Sequence, residues 1–527
     1  MRPLLAAFVA LLLALSLPLA AQQENRRGGA DRSAPPAADQ GHDEQRDAAR
    51  DDKDKTSAKP ETDKPPVVTH HEIHVGGKVL RYTATAGLMP LVDDSGKVDA
   101  HIFYIAYTLD NPSARRPLTF SFNGGPGSAS VWLHIGAIGP KRVRMQPEGM
   151  MPAPPYALVD NEATWLDQTD LVFIDPVGTG YSRAINKDVG KKYWGLRGDI
   201  ESVGEFIRLY LGKYERWSSP LFMVGESYGT TRAAGLSGYL VEHGIAFNGV
   251  MLISSVLNFQ TLSAAPGNDL PYILFLPTFT DTAWFHKKLS PDLQADFAKT
   301  RGEVEQWAAT GYADALAKGD ALSADERNAV IDKLSRYTGL SKAYVDQANL
   351  RIDEPHFTKE LLRDQKLVVG RLDSRFTGID LTGSAATAEF DPSLTAIRPP
   401  YTAAFNQYVR TELGYKSDLE YYILGGGFQG WDFGTGQRGG YPDTAEALRE
   451  AFAKNPYMKL FVGNGYFDLA TPYFATQYTL NHMGFDATQH ARITLGYYPA
   501  GHMMYIRDES LGNLKKDIST FIDNALK

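Results

Sequence analysis

The stretch Leu221-Phe222-Met223-Val224-Gly225-Glu226-Ser227-Tyr228-Gly229 runs four apolar strand residues into Gly-x-Ser-x-Gly and then into a helix-competent segment, Thr230 to His243. This is the pattern of a nucleophile elbow. The turn forces its central residue into a strained backbone conformation, and glycines two residues to either side remove the Cβ atoms that would collide where strand becomes helix. Ser227 is thereby predicted to project its hydroxyl clear of a sheet. A bare Gly-x-Ser-x-Gly is weak on its own; the strand before it and the helix after it give it weight, against the alternative of an ordinary tight turn.

A serine hydroxyl is a poor nucleophile until a base takes its proton and an acid group orients that base. After an elbow of this kind the partners follow in the order carboxylate, then histidine. Six histidines follow Ser227, and His502 is the one in a loop directly after a strand, Pro499-Ala-Gly-His502-Met-Met. His243, His286, His356, His482 and His490 lie in helical, insert or linker contexts. The loop after the preceding strand, Lys459-Leu-Phe-Val-Gly-Asn-Gly-Tyr-Phe-Asp468-Leu-Ala-Thr-Pro472, supplies one acid, so Asp468 is the expected orienting group. Its bland alternative is a turn-forming or helix-capping aspartate. Acyl transfer also needs two backbone N–H donors where an oxyanion develops. The amide of Tyr228 should be one, and Gly125, in a glycine-rich loop that can approach without a Cβ, the other.

Outward from the elbow, residues 77–86 and 101–108 alternate as early antiparallel strands, and Leu118 to Phe122 is a short apolar strand ending at Asn123-Gly124-Gly125-Pro126-Gly127. Asp170 to Asp175 is a buried strand leading into Pro176-Val-Gly-Thr-Gly-Tyr-Ser182, whose glycines lack the full spacing of a phosphate loop. Ile200, Val203, Phe206, Ile207, Tyr210, Leu211 and Tyr214 recur at helical spacing, and Val250 to Val256 is the next buried strand. Strands alternating with helices imply a mostly parallel sheet covered on both faces. From 266 to 422 the pattern changes to amphipathic helices, such as Ser290 to Leu316 and Ser323 to Arg336 with its Ser323-x-x-Glu326 capping box, and is expected to form a helical cap. Strand character returns at Met458 to Val462 and Arg492 to Tyr497, and Leu511, Leu514, Ile518, Phe521, Ile522 and Leu526 form one stripe of a closing helix.

Residues 1–21 read as a signal peptide: one arginine, an apolar run too short for a comfortable membrane span, and small residues before Gln22. Residues 22–68 are expected to be a disordered tether, since Gln22 to Pro66 contains no Val, Ile, Leu, Met, Phe, Tyr or Trp. The hydrolytic core is expected over 69–265 and 423–527, and the mature protein to be exported, periplasmic or secreted, without a membrane anchor. Net charge of −8 and nearly balanced charges in the tether argue against a nucleic-acid partner. There is no cysteine, which excludes thiol chemistry and thiolate metal sites. His70-His71-x-x-His74 lacks a metalloprotease spacing and is not read as a metal site. No metal or organic cofactor is implied, and nothing in the chain specifies an oligomeric state.

With these residues in place, the chain resembles the serine carboxypeptidase family, peptidase family S10, whose fold is the α/β-hydrolase fold. The resemblance rests on Asn123-Gly124-Gly125-Pro126-Gly127-Ser128, on Gly225-Glu226-Ser227-Tyr228-Gly229, on the blocks around Asp468 and Ala500-Gly501-His502-Met503, and on Thr164-Trp165 and Asp175 to Ser182. It implies release of C-terminal residues from peptides through an acyl-enzyme, with Ser227, Asp468 and His502 as the triad. It further implies that the substrate carboxylate is held by Asn123, the amide of Gly124, and a protonated Glu226. An ionised Glu226 would repel that carboxylate, so binding should weaken as the glutamate ionises. The chain departs from the family in two places. Ser128 stands where cysteine is usual, and Trp132 to Pro140 contains no acid where well-known members carry a glutamate that pairs with the elbow glutamate. Without that pair Glu226 loses one reason to hold a proton. The same triad would also serve an esterase or acyltransferase.

Overall fold

The computed structural model describes residues 65–112, 115–428, 430–434 and 440–527. The expected signal peptide and all but the end of the expected tether lie outside the described residues. Among the described residues ten strands build one sheet: β1 (Val67–Val75), β2 (Lys78–Val92), β3 (Val98–Leu109), β4 (Leu118–Phe122), β5 (Asp170–Ile174), β6 (Arg183–Ala184), β7 (Leu221–Ser227), β8 (Gly249–Ser255), β9 (Lys459–Gly465) and β10 (Ile493–Tyr498). Their order is β1-β2-β3-β5-β4-β7-β8-β9-β10, with the short β6 also pairing with β3. The pairs from β1 to β5 are antiparallel, and every pair from β5 to β10 is parallel. β1 begins at Val67, just inside the segment expected to be tether. On this edge strand His70 and His74 point to one face and His71, stacked on Tyr82, to the other, so alternation keeps the three from converging.

Two-residue alternation along the central strands feeds two cores. Phe222 and Val224 of β7, Met251 and Ile253 of β8 and Phe461 of β9 face one side. There they meet Leu511, Leu514, Ile518, Phe521 and Ile522 of the C-terminal helix Asp508–Ala525. Leu526, expected in that stripe, is instead 43% exposed, because the helix ends at Ala525 and Leu526 forms its C-cap. On the opposite face Met223, Val250, Leu252, Leu460 and Val462 pack against α1 (Leu196–Lys213) and α2 (Tyr228–Glu242).

The segment following β8 is mainly helical and carries its own apolar cluster, with Phe279 stacked on Phe357 at 4.1 Å and Trp307 on Tyr312. The run from Ser290 to Leu316, expected as one helical stretch, is divided. Asp296 accepts from the Lys299 amide and caps a new helix, Phe297–Trp307, after a short turn at Pro291–Gln294. Ser323 and Glu326 form the expected capping box. A two-stranded ribbon, Leu367–Val369 with Thr377–Ile379, interrupts the helices and was not visible in the periodicity. Helix Pro392–Thr411, also expected as cap, instead contributes Ile397, Tyr401, Phe405 and Tyr408 to the core of the main sheet.

Candidate active site

Four loops leave the carboxyl ends of parallel strands at one edge of the sheet. Asn123 follows β4, Ser227 ends β7, Asp468 follows β9 and His502 follows β10. The topology therefore brings together residues far apart in the chain.

Ser227 adopts φ 60° and ψ −131° between β7 and α2. This backbone is reached because a Cβ on Gly225 would lie 2.1 Å from the Gly229 carbonyl oxygen, and one on Gly229 2.9 Å from that of Phe122. Thr230 Oγ1 donates to the Ser227 carbonyl at 2.7 Å and accepts from the Val256 amide at 2.9 Å, pinning the turn to the end of β8. Ser227 is half-buried at the start of α2, where the helix dipole favours negative charge.

Asp468 is fully buried and receives four hydrogen bonds. Its Oδ1 accepts from the amides of Ala470 and Thr471, and its Oδ2 accepts from Thr471 Oγ1 and from His502 Nδ1, both at 2.7 Å. It is thus a turn-forming aspartate and the partner of His502 at once. A carboxylate acceptor at Nδ1 fixes the proton there, leaving Nε2 as the basic nitrogen. Burial lowers the His502 pKa, but the Asp468 carboxylate outweighs it, and the imidazole is held above its ordinary value. Among the described residues no hydrogen bond links Ser227 Oγ to His502, a contact that commonly tightens only in the substrate complex. The five other histidines after Ser227 make no hydrogen bond to Asp468; His286 faces the Ser374 carbonyl and His356 pairs with Asp353.

The ribbon connection inside the cap segment clamps both loops. The His502 amide donates to the Leu372 carbonyl at 2.6 Å and the Gly501 amide to Asp373 Oδ2 at 3.0 Å. The Leu469 and Ser374 amides donate to the Arg371 and Phe467 carbonyls, respectively. A Cβ on Gly501 would lie 2.4 Å from the Leu372 oxygen, which explains the glycine before the histidine.

The glycine loop lies directly on the elbow. A Cβ on Gly124 would sit 2.4 Å from the Tyr228 amide nitrogen and 2.7 Å from the Glu226 carbonyl oxygen, so only glycine allows this approach. Gly125 follows with φ +96°. The two expected oxyanion donors, Gly125 and Tyr228, therefore belong to backbone segments in contact. Asn123 is oriented without ambiguity: its Oδ1 accepts from the Leu133 amide, so Nδ2 donates to Glu226 Oε1 at 3.0 Å. The Asn123 carbonyl accepts from Arg232 Nη1 at 2.7 Å, and Arg232 Nε donates to Asp199 at 2.8 Å, all of them buried.

Burial pushes the Glu226 carboxyl up to about 7, partly offset by His502, Tyr505 and Asn123. The acid-free stretch 132–140 folds into a buried turn and a π-helical segment, His134–Ile138. A Cβ on its Gly136 would lie 2.5 Å from Tyr401 Oη and 2.8 Å from the Tyr505 ring. Ser128, in place of cysteine, accepts from Trp132 Nε1 at 2.7 Å and donates to the Ala129 carbonyl at 3.1 Å. Sequence reasoning missed Thr471, the Arg232–Asp199 pair, the Arg371 to Ser374 clamp and Tyr505. An acid followed three residues later by threonine was the one local signal among them.

The serine carboxypeptidase family profile matches residues 78–376, more than half of the 527-residue chain. Serine carboxypeptidase S10 family member 1 of Dictyostelium discoideum is 25% identical over 200 residues, 37% of this chain and 44% of that protein. The pheromone-processing carboxypeptidase KEX1 of Saccharomyces cerevisiae is 33% identical over 159 residues, 27% of this chain and 20% of that protein. The chain thus spans less than half the length of these curated relatives. Among solved structures, a prohormone-processing carboxypeptidase of S. cerevisiae superposes with a TM-score of 0.51 at 18% identity, covering 84% of this chain and 91% of that one, a likeness of fold.

Proposed function

Because the chain belongs to the serine carboxypeptidase family, we propose that it releases C-terminal residues from peptides through an acyl-enzyme intermediate. Ser227 Oγ attacks the scissile carbonyl as His502 Nε2 takes its proton, and Asp468 stabilises the imidazolium through Nδ1. The amides of Gly125 and Tyr228 hold the oxyanion, and removal of one such donor typically costs about 10²- to 10³-fold in kcat. His502 then returns the proton to the leaving amine, and a water molecule activated by the same nitrogen releases the acyl group.

The observation that carries exopeptidase action, as distinct from acyl transfer in general, is the Asn123–Glu226 hydrogen bond beside the elbow. With Asn123 donating to Oε1, a neutral Glu226 presents its proton on Oε2 to a substrate carboxylate, joined by the Gly124 amide. Burial favours that neutral form up to about pH 7. The reading of residues 1–21 as a signal peptide supports action after export, in the periplasm or outside the cell. Mass spectrometry of a mixed peptide pool tests the reading. Stepwise loss of C-terminal residues is expected, whereas cleavage of blocked esters with intact free-carboxylate peptides would make an esterase or acyltransferase the better assignment.

A further inference from the structure

Among the described residues, the non-glycine positions inside strands that have positive φ are Ser227 at 60° and Ser254 at 52°. They lie side by side. β7 pairs with β8 at Glu226–Ile253 and again at Ser227–Ser255, and the pairing skips Ser254. This is a β-bulge, rare between parallel strands, and bulges beside active sites re-aim a side chain. Regular alternation would put Ser254 on the face of Val250 and Leu252, against α1 and α2. Instead its buried hydroxyl donates to the His502 carbonyl at 2.6 Å, while Ala500 and Met503 around that histidine belong to the core on the other face.

A serine in this conformation is strained and persists only where its surroundings hold it. The two residues after it are pinned. The Ser255 carbonyl accepts from Thr476 Oγ1 at 3.1 Å, on the helix Tyr473–Asn481 that follows Asp468. The Val256 carbonyl accepts from the hydroxyls of Thr230 and Thr231 on α2 at 3.1 and 2.7 Å. His502 is gripped just as closely. Its amide donates to the Leu372 carbonyl, its carbonyl accepts from Ser254, and its Nδ1 faces Asp468. The fourth polar atom, Nε2, is the one that moves the proton.

We propose that Ser254 is a positioning residue for His502: the bulge beside the nucleophile commits its hydroxyl to the His502 carbonyl and so fixes the imidazole between Asp468 and Ser227. This assignment rests on the reading of Ser227, Asp468 and His502 as a triad, and holds whether that triad serves peptides or esters. Gly501 leaves the backbone before the histidine free to turn, so grips on the amide and on the carbonyl are both needed to hold the ring. Misplacement of a catalytic group by about 1 Å can cost about a hundredfold in rate.

The test compares Ser254→Ala, which removes the hydroxyl and keeps the strain, with Ser254→Gly, which removes both. In each, kcat should fall roughly ten- to a hundredfold on free-carboxylate peptides and on their esters alike, with KM changed by less than about twofold. Burial lowers the His502 pKa and Asp468 and Glu226 raise it, with Arg371 opposing them. A loosened Asp468 contact should therefore move the rising limb of the ester profile to lower pH. Ser254→Gly should also melt above Ser254→Ala and remain as slow, so that activity does not follow stability. Wild-type kcat in either variant, a loss confined to KM, or an unmoved limb would overturn the role of Ser254 and leave the triad reading intact. A wild type that hydrolyses neither substrate and resists a fluorophosphonate would remove the triad reading and this one together. Should Ser254→Ala fail to fold, the unstrained glycine variant carries the same measurements.

Discussion

Asn123 donates to Glu226 across 3.0 Å, and it can do so in one orientation only, because the Leu133 amide claims its oxygen. The contact joins the glycine loop to the residue before the nucleophile. It leaves Glu226 Oε2 as the oxygen that Asn123 does not claim, and under the proposed carboxypeptidase reading the protonation state of Glu226 decides whether a substrate carboxylate is attracted or repelled.

Glu226→Gln should therefore separate peptide from ester hydrolysis. His502 acts as a base only when neutral, so kcat/KM rises with pH through its elevated pKa on any substrate. In the proposed role Glu226 binds a carboxylate only when protonated, so on peptides the profile should fall again as pH passes about 7. Wild type should give a narrow bell on free-carboxylate peptides and a plain rise on their esters. Glutamine can accept from Asn123 and offers a permanent N–H where Oε2 stood, so the falling limb should vanish. An unchanged peptide profile in the variant would count against carboxylate binding by Glu226.

Asp468→Asn should lower kcat by about ten-thousandfold, because an amide at Oδ2 no longer holds the imidazole in the productive tautomer. The residual activity carries a second signature. Asp468 is what raises the His502 pKa against the effect of burial, so the rising limb of the variant's profile should move to lower pH. A limb that stays in place would show that some other group sets the histidine.

The elbow turn and the strand ends that carry Ser227, Asp468 and His502 were legible in the sequence because each is local: a few residues fix these three to loops after apolar strands. What escaped is what the fold assembles from distant parts. Arg232 sits on α2 and Asp199 on α1, and neither carries a pattern that points to the Asn123 carbonyl. The segment from Arg371 to Ser374 reads as part of an insert, yet its backbone holds the Asp468 and His502 loops together. Tyr505, three residues after the histidine, reads as an ordinary core aromatic until the fold sets its hydroxyl against the Glu226 carboxyl. Helix Pro392–Thr411 shows the same limit at the level of domains: amphipathicity reveals that a face is buried, not against which neighbour.

Ser227→Gly should be inactive and should melt above Ser227→Ala. At φ 60° and ψ −131° a side chain is strained by about 1–3 kcal/mol. Glycine adopts this conformation freely, at an entropic disadvantage of roughly 0.5–1 kcal/mol. Alanine removes the hydroxyl and retains the strain. Thermal unfolding of the two inactive variants compares them directly, and a glycine variant less stable than the alanine one would show that the elbow backbone is not under strain.

The Arg232–Asp199 pair should prove necessary for activity in a way that its contribution to stability does not explain. Both side chains are almost wholly buried, and Arg232 uses its remaining reach to hold the Asn123 carbonyl at 2.7 Å. Removing one partner, as in Asp199→Leu, strands a buried charge and should destabilise the protein by about 3–5 kcal/mol. The double variant Asp199→Leu/Arg232→Met removes both charges and should recover much of that loss, since apolar replacements of buried pairs are often close to neutral. Activity should not recover with it. Without the guanidinium, Asn123 loses the anchor on its carbonyl, and KM for free-carboxylate peptides should stay raised at least tenfold, about the effect of one lost charge-assisted hydrogen bond. Denaturant melts and peptide kinetics on the same three proteins decide the matter. A double variant with wild-type KM would show that the pair serves stability alone.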